Sequence, residues 1–186
     1  MSTDALAALP TTRTVRDLLS RDVEVWVGDP YAGDHAATTY AVYVDDRMRA
    51  RVVVVADLEF SALAGAAIGL VPPVLAHSAI GRGKVPATLA ENLDEVLNVC
   101  AAGLNGPDRP HLRLYSVHHV GEQVPTDVLA FAAVPGRRLD LTVHLPTYGD
   151  GRSSSRRPSS CGRLVAGSCW RDPGVPGTKK PRSKAG

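Results

Sequence analysis

Hydrophobic positions change period several times along the chain, and each change marks an element. Val23-Glu24-Val25-Trp26-Val27 alternates, as a strand with one buried face requires. Ahead of it, Val15 to Ser20 follows Thr residues able to cap free backbone N–H groups and reads as a short helix. Gly28 to Ala36, with Asp29-Pro30 and Gly33, reads as a loop. Thr38 to Val44 and Arg49 to Ala56, separated by the turn-like Asp45-Asp46, form a hairpin whose second strand is nearly continuous Val and so central. From Ser61 to Leu70 the chain turns to Ala with Leu, Ile and Gly, a small-residue helix suited to close packing and stopped by Pro72-Pro73. Gly81, Gly83 and Pro86 mark a loop. Beyond it Thr88-Leu89-Ala90-Glu91 has capping-box spacing. Leu93, Val96, Leu97, Cys100 and Leu104 then recur at helical intervals until Gly103, Asn105 and Gly106 end the helix. Three strands follow, at Leu112 to Val120, Val128 to Val134 and Leu139 to Leu145, the last two joined by a Pro135-Gly136 turn. This order predicts an α+β domain with an antiparallel-rich sheet packed against helices, not a doubly wound βαβ series.

With 186 residues, 44% of them hydrophobic, the chain can bury one domain's core, built mainly from Val, Leu and Ala because aromatic residues are only 5%. The net charge of +2 conceals an asymmetry. Residues 1 to 150 carry 12 basic and 18 acidic side chains, whereas residues 151 to 186 carry 9 basic and 1 acidic, together with seven Ser, four Pro and six Gly. The expected organisation is therefore a flexible N-terminus at 1–11, a folded acidic domain at 12–148 and a disordered basic tail at 149–186. An acidic body does not attract nucleic acid, and the tail's Lys179-Lys180-Pro181-Arg182 lacks the interleaved aromatics of a nucleic-acid segment, so no such contact is expected. The start, MSTDALAALPTTR, has neither a basic leader nor a sustained apolar stretch, and no membrane span or secretory signal is expected. Cys100, Cys161 and Cys169 form no paired framework, which makes a reducing cytoplasm the default.

Chemistry is sparse. His77, His111, His118, His119 and His144 have no ligand spacing that compels a metal and read as structural or surface histidines. Gly81-Arg82-Gly83-Lys84 lacks the Ser/Thr and spacing of a phosphate-binding loop and reads as a mobile basic loop. Cys100 falls on the apolar side of its helix, a buried structural thiol, and Trp26 reads as a core or interface anchor. The strongest pattern is Glu91, Glu95, Asn98 and Ala102, which share one helical face apart from the apolar stripe. A carboxylate and an amide one turn apart can pair with a cation and direct hydrogen bonds on the same partner, while Ala102 leaves room for a close backbone. A solvated polar face would show the same spacing.

The span Glu91 to Asn98 resembles the helix motif of the CheC/CheX/FliY family of phosphatases, which act on the phosphorylated CheY response regulator. Glu95 and Asn98 stand at the family's Glu and Asn. Glu91 replaces the usual Asp or Ser, Ala102 replaces a frequent Gly, and Gly121 occupies the downstream Pro position, with Pro125 four residues on. With one such motif and no second Glu-x-x-Asn, the chain is most similar to the single-site CheX arrangement over roughly residues 12 to 148. The resemblance implies a CheX-like fold, a homodimer formed through sheet edges, and a response-regulator receiver protein as partner. It also implies hydrolysis of that partner's aspartyl phosphate. Glu95 would hold a receiver Lys, Asn98 would position the attacking water, and Glu91 and Ala102 would lie in the receiver contact. No intrinsic cofactor is implied, because the receiver brings its own Mg2+. A binding or scaffolding domain of the same fold without catalysis is the alternative.

Overall fold

The nearly continuous apolar runs at 38–45 and 50–57 become the two strands that need burial on both faces. The computed structural model describes residue 18 and residues 22–29, 34–105, 110–134 and 136–158. The strands are β1 (Glu24–Val27), β2 (Thr38–Asp45), β3 (Ala50–Asp57), β4 (Leu112–His118), β5 (Gly136–Leu145) and β6 (Gly149–Pro158). The α-helices are α1 (Leu58–Ile68), α2 (Pro73–Gly81), α3 (Ala87–Leu104) and α4 (Thr126–Ala133), and a 3-10 turn spans His35–Ala37. All the strand pairs are antiparallel, in the order β1-β5-β6-β3-β2-β4. The α+β class and the antiparallel sheet are as expected.

Alternation divides β2 and β3 between two cores. Ala41, Tyr43, Val52, Val54 and Ala56 pack with α1 and α3. Tyr40, Val42, Val44, Val53 and Val55 pack with Val128, Phe131 and Ala132 of α4. The connecting turn is clasped by Asp45, which accepts bonds from the backbone N–H of Arg47 and Arg49 and from Nε of Arg49 and Arg51, at 2.8–3.0 Å. Burial pushes this carboxyl up, but the bonds outweigh burial and hold it well below the usual range. On the helical face, α1 and α3 cross closely. A Cβ on Gly65 would lie 2.2 Å from the Leu89 carbonyl oxygen, so only glycine permits the approach.

Four expectations are corrected. Residues 126–133 form a helix rather than a strand: Val128, Phe131 and Ala132 recur at three- and four-residue spacing, and the alanines favour helix. Gly136 accordingly opens β5 instead of turning a hairpin, while Pro135 lies outside the described residues. Residues 73–80, for which the sequence named no element, form with Gly81 the helix α2, whose first residue is Pro73, a position where its missing N–H costs nothing. The predicted capping box is not made, since α3 begins at Ala87 with Pro86 as its N-cap and Thr88 already lies inside the helix.

The fourth correction moves the domain boundary. Residues 149–158, assigned to the tail, form β6, an interior strand hydrogen-bonded to β5 on one side and β3 on the other. Its small residues serve the packing. A Cβ on Gly151 would lie 2.4 Å from Phe60 Cα, and Ser154 is fully buried. Asp57 ties the strand to α1, accepting bonds from Phe60 N at 2.7 Å and from Arg152 N at 3.0 Å. Arg156 donates to the Ala132 carbonyl oxygen at the end of α4. The predicted helix at 15–20 (apart from residue 18), the N-terminus at 1–11, and the remainder of the tail with Cys161 and Cys169 lie outside the described residues. Among the described residues no helix is long and apolar enough to cross a membrane.

Candidate functional site

Helix α3 has a strongly asymmetric environment. Leu93, Val96, Leu97, Cys100 and Leu104 are buried, as their spacing predicts, and Leu89 joins them. Two directional contacts add to this apolar seat. Asn92 Nδ2 donates to the Gly65 carbonyl oxygen at 2.9 Å, and the buried Tyr43 hydroxyl donates to the Leu97 carbonyl oxygen at 2.7 Å. These contacts fix the rotation of the helix about its axis. Burial pushes the Tyr43 hydroxyl pKa well up, with a further contribution from Cys100, and burial pushes the Cys100 thiol up to about 12. Cys100 is thus an unreactive core thiol, and Tyr43 remains a neutral donor at physiological pH.

Fixing that rotation turns Glu91, Glu95, Asn98 and Ala102 to solvent, and all four are exposed. The side chains of Glu91, Glu95 and Asn98 make no hydrogen bond or ion pair with other described residues. Two carboxylates and an amide are therefore displayed on a rigid surface with their bonding capacity unused.

The sequence reading missed what lies beside this face. Asp94, half-buried between Glu91 and Asn98, sits 3.2 Å from Nε2 of His119 in the segment between β4 and α4. This close contact lacks hydrogen-bond geometry, and among the described residues neither Asp94 Oδ1 nor His119 Nδ1 has a hydrogen-bond partner. Burial raises the Asp94 carboxyl pKa against the lowering influence of His119. The His119 backbone N–H donates to Glu122 Oε2 at 2.9 Å, and Gly121 N donates to the Ala36 carbonyl oxygen at 3.1 Å, holding the segment in place. His118 is half-buried, and burial lowers its pKa. Among the described residues no three His, Cys, Asp or Glu side chains are placed to share a metal ion. Trp26, expected as an anchor, lies 42% exposed on the edge strand β1 and is not a core residue.

No family model matches the sequence, and none of the curated proteins does. Solved structures do. A chain of the CheX–CheY–BeF3–Mg2+ complex from Borrelia burgdorferi superposes with a TM-score of 0.50 at 12% identity, over 81% of this chain and 94% of that one. A chain of the FliM–SpeE complex from H. pylori gives 0.54 at 12% identity, over 83% of each. The chain has the CheX/FliM fold. FliY from Thermotoga maritima is a more distant match, at 0.43 and 10% identity. In the CheX/FliM fold adopted here, the face carrying Glu95 and Asn98 belongs to a helix seated on the open sheet.

Proposed function

We propose that this chain docks a response-regulator receiver protein on the exposed face of α3 and removes its aspartyl phosphate. The observation that carries the reading is the joint exposure of Glu95 and Asn98, whose side chains have no partner among the described residues, on a helix whose rotation is fixed by Tyr43 and Asn92. Glu95 pairs with a cationic side chain of the receiver and sets the docking register. Asn98 holds a water in line with the acyl phosphate. The water oxygen bonds to phosphorus, the bond from phosphorus to the aspartyl oxygen breaks, and the products are inorganic phosphate and a free aspartate. A magnesium ion brought by the receiver would supply charge neutralisation on the transferring group.

Positioning is therefore what this chain supplies, and a shallow surface suffices for it. A second reading, docking without turnover, is favoured by one observation: Glu91 is a full carboxylate on the same face, one turn before Glu95, and adds negative charge where a phosphoryl group approaches. Both readings place the chain in two-component or chemotaxis signalling.

The deciding experiment supplies phosphorylated receiver domains with Mg2+ and follows phosphate release by the intact protein, Asn98→Ala and Glu95→Ala. Catalysis predicts a turnover loss on the order of 100-fold in Asn98→Ala with binding retained, and weakened binding in Glu95→Ala. Release no faster than the receiver's own hydrolysis, with binding intact, selects docking alone. Absence of binding rejects both.

A further inference from the structure

The loop Gly81-Arg82-Gly83-Lys84, read from sequence as mobile, is an ordered turn closing α2. Arg82 N donates to the Ser78 and Ala79 carbonyls, Gly83 N to Ile80 and Lys84 N to Ala79, all within 2.9–3.2 Å. Gly83 adopts φ +65° in open space, a conformation that costs glycine nothing. Arg82 Nη1 also donates to the Ser78 hydroxyl at 2.8 Å, which orients the guanidinium without neutralising it.

This turn lines an open groove of about 1320 Å3 together with Glu91 and Asp94 of α3 and with His119 and Glu122. The charges do not close on one another. Lys84 and Glu91 make no ion pair with any described residue, and Arg82 makes none with a carboxylate. Glu91 also belongs to the exposed face with Glu95 and Asn98, so groove and face form one continuous surface.

We infer that the groove is the second half of the docking surface, and that Arg82 and Lys84 take an acidic loop of the receiver that docks on α3. This rests on the receiver-docking reading and adds to it a specificity contact remote from the reacting phosphate. Charge complementarity is the reason for choosing an acidic occupant: two neighbouring cations, one of them oriented by Ser78 and neither paired with a carboxylate among the described residues, stand on a body that is otherwise acidic over residues 1 to 150. A bound receiver thus places basic side chains against Glu91 and Glu95 and acidic ones against the turn, which fixes its orientation.

The test uses full-length protein and receiver domains activated with beryllofluoride and Mg2+, with affinity measured by calorimetry at 50 and 200 mM salt. Arg82→Glu/Lys84→Glu is expected to weaken binding at least 10-fold at the lower salt and to flatten the salt dependence, with an unchanged circular dichroism spectrum. An acidic-to-Lys change in the receiver loop that restores binding to the reversed protein, but not to wild type, would identify the contact. Unchanged affinity in the reversed protein, beside a weakened Glu95→Ala, overturns this inference and leaves the docking reading standing. So does loss of binding to anionic vesicles or RNA with receiver affinity intact. Failure of wild type to bind any receiver overturns both.

Discussion

Asp57 couples the pH of the solution to the junction of α1, β3 and β6. It is 6% exposed, caps α1 through Phe60 N and receives Arg152 N from β6. Burial raises its carboxyl from an ordinary 3.8 to about 6, the two backbone bonds offsetting only part of that, with Glu59 nearby adding to the rise. Below about pH 3 the group is protonated whether the chain is folded or not. Between about pH 4 and 6 the unfolded chain loses the proton and the folded chain keeps it, so stability falls as pH rises through this window and is level above it. A shift from 3.8 to about 6 corresponds to about 3 kcal/mol. Asp57→Asn keeps an oxygen for Phe60 N–H and never ionises, though it leaves Arg152 N–H poorly matched at a cost that does not vary with pH. Urea unfolding from pH 3 to 8 should show the variant gaining about 3 kcal/mol relative to wild type between pH 3 and 7. Parallel curves, or a relative gain for wild type, would refute the assignment of the raised carboxyl to burial.

Two further outcomes bear on β6. Phe60, Leu97, Cys100, Leu104, Ser153 and Ser155 help to line an apolar cavity of about 40 Å3 between the helices and the sheet. At about 24 cal/mol per Å3, filling it with Ser155→Val should add about 1 kcal/mol in urea denaturation, and a loss of stability would mean the space is unsuited to a methyl group. Ending the chain after Pro158 should leave a cooperatively folding protein, whereas ending it after Asp150 removes an interior strand and should abolish the thermal transition. A shared transition temperature in the two shortened proteins would refute the placement of β6.

Much of the fold is legible where one physical signal dominates. The Val-rich β2–β3 hairpin, the alternation of Leu139 to Leu145 and the stripe from Leu93 to Leu104 each bury an apolar face, and their period names the element. Three elements have no such signal. Helix α2 buries only Ala76 and Ala79, leaving Val74 and Leu75 exposed, so no stripe betrays it. Helix α4 is short and its apolar run suits a strand equally well, until the sheet it packs on is known. Strand β6, GDGRSSSRRP, shares its composition with disordered segments. It is specified by space rather than hydrophobicity, because α1 approaches closely enough at Phe60 to require glycine at 151.

The candidate site divides in the same way. Exposure of Glu91, Glu95, Asn98 and Ala102 follows from one helix's period and is readable in the chain. The pairing of Asp94 with His119, and the groove that brings His119 and Glu122 beside Arg82, Lys84 and Glu91, arise where segments distant in sequence meet in the fold. Asp94 carried a partial signal, since it lies three residues after Glu91 and four before Asn98.

Separation of support from display has an experimental consequence. What holds α3 in place is buried: the apolar stripe, the Tyr43 hydroxyl and the Asn92 amide. What could meet a partner is exposed and bonded to nothing else described. Exposed side chains without partners change stability by less than about 0.5 kcal/mol on substitution, whereas loss of a buried apolar side chain from the stripe costs about 2–5 kcal/mol. Changes at Glu95, Asn98 or Lys84 therefore act on binding or turnover with the folded population unchanged, and their effects can be read as chemistry at the surface. Tyr43→Phe is the informative intermediate. It removes the bond to Leu97, one residue from Asn98, while keeping the ring in the core, so it loosens the rotation of α3 more than it unfolds the protein. A turnover loss there without a matching loss of receiver affinity would place the requirement in the aim of Asn98, which is the property that separates a phosphatase from a docking surface.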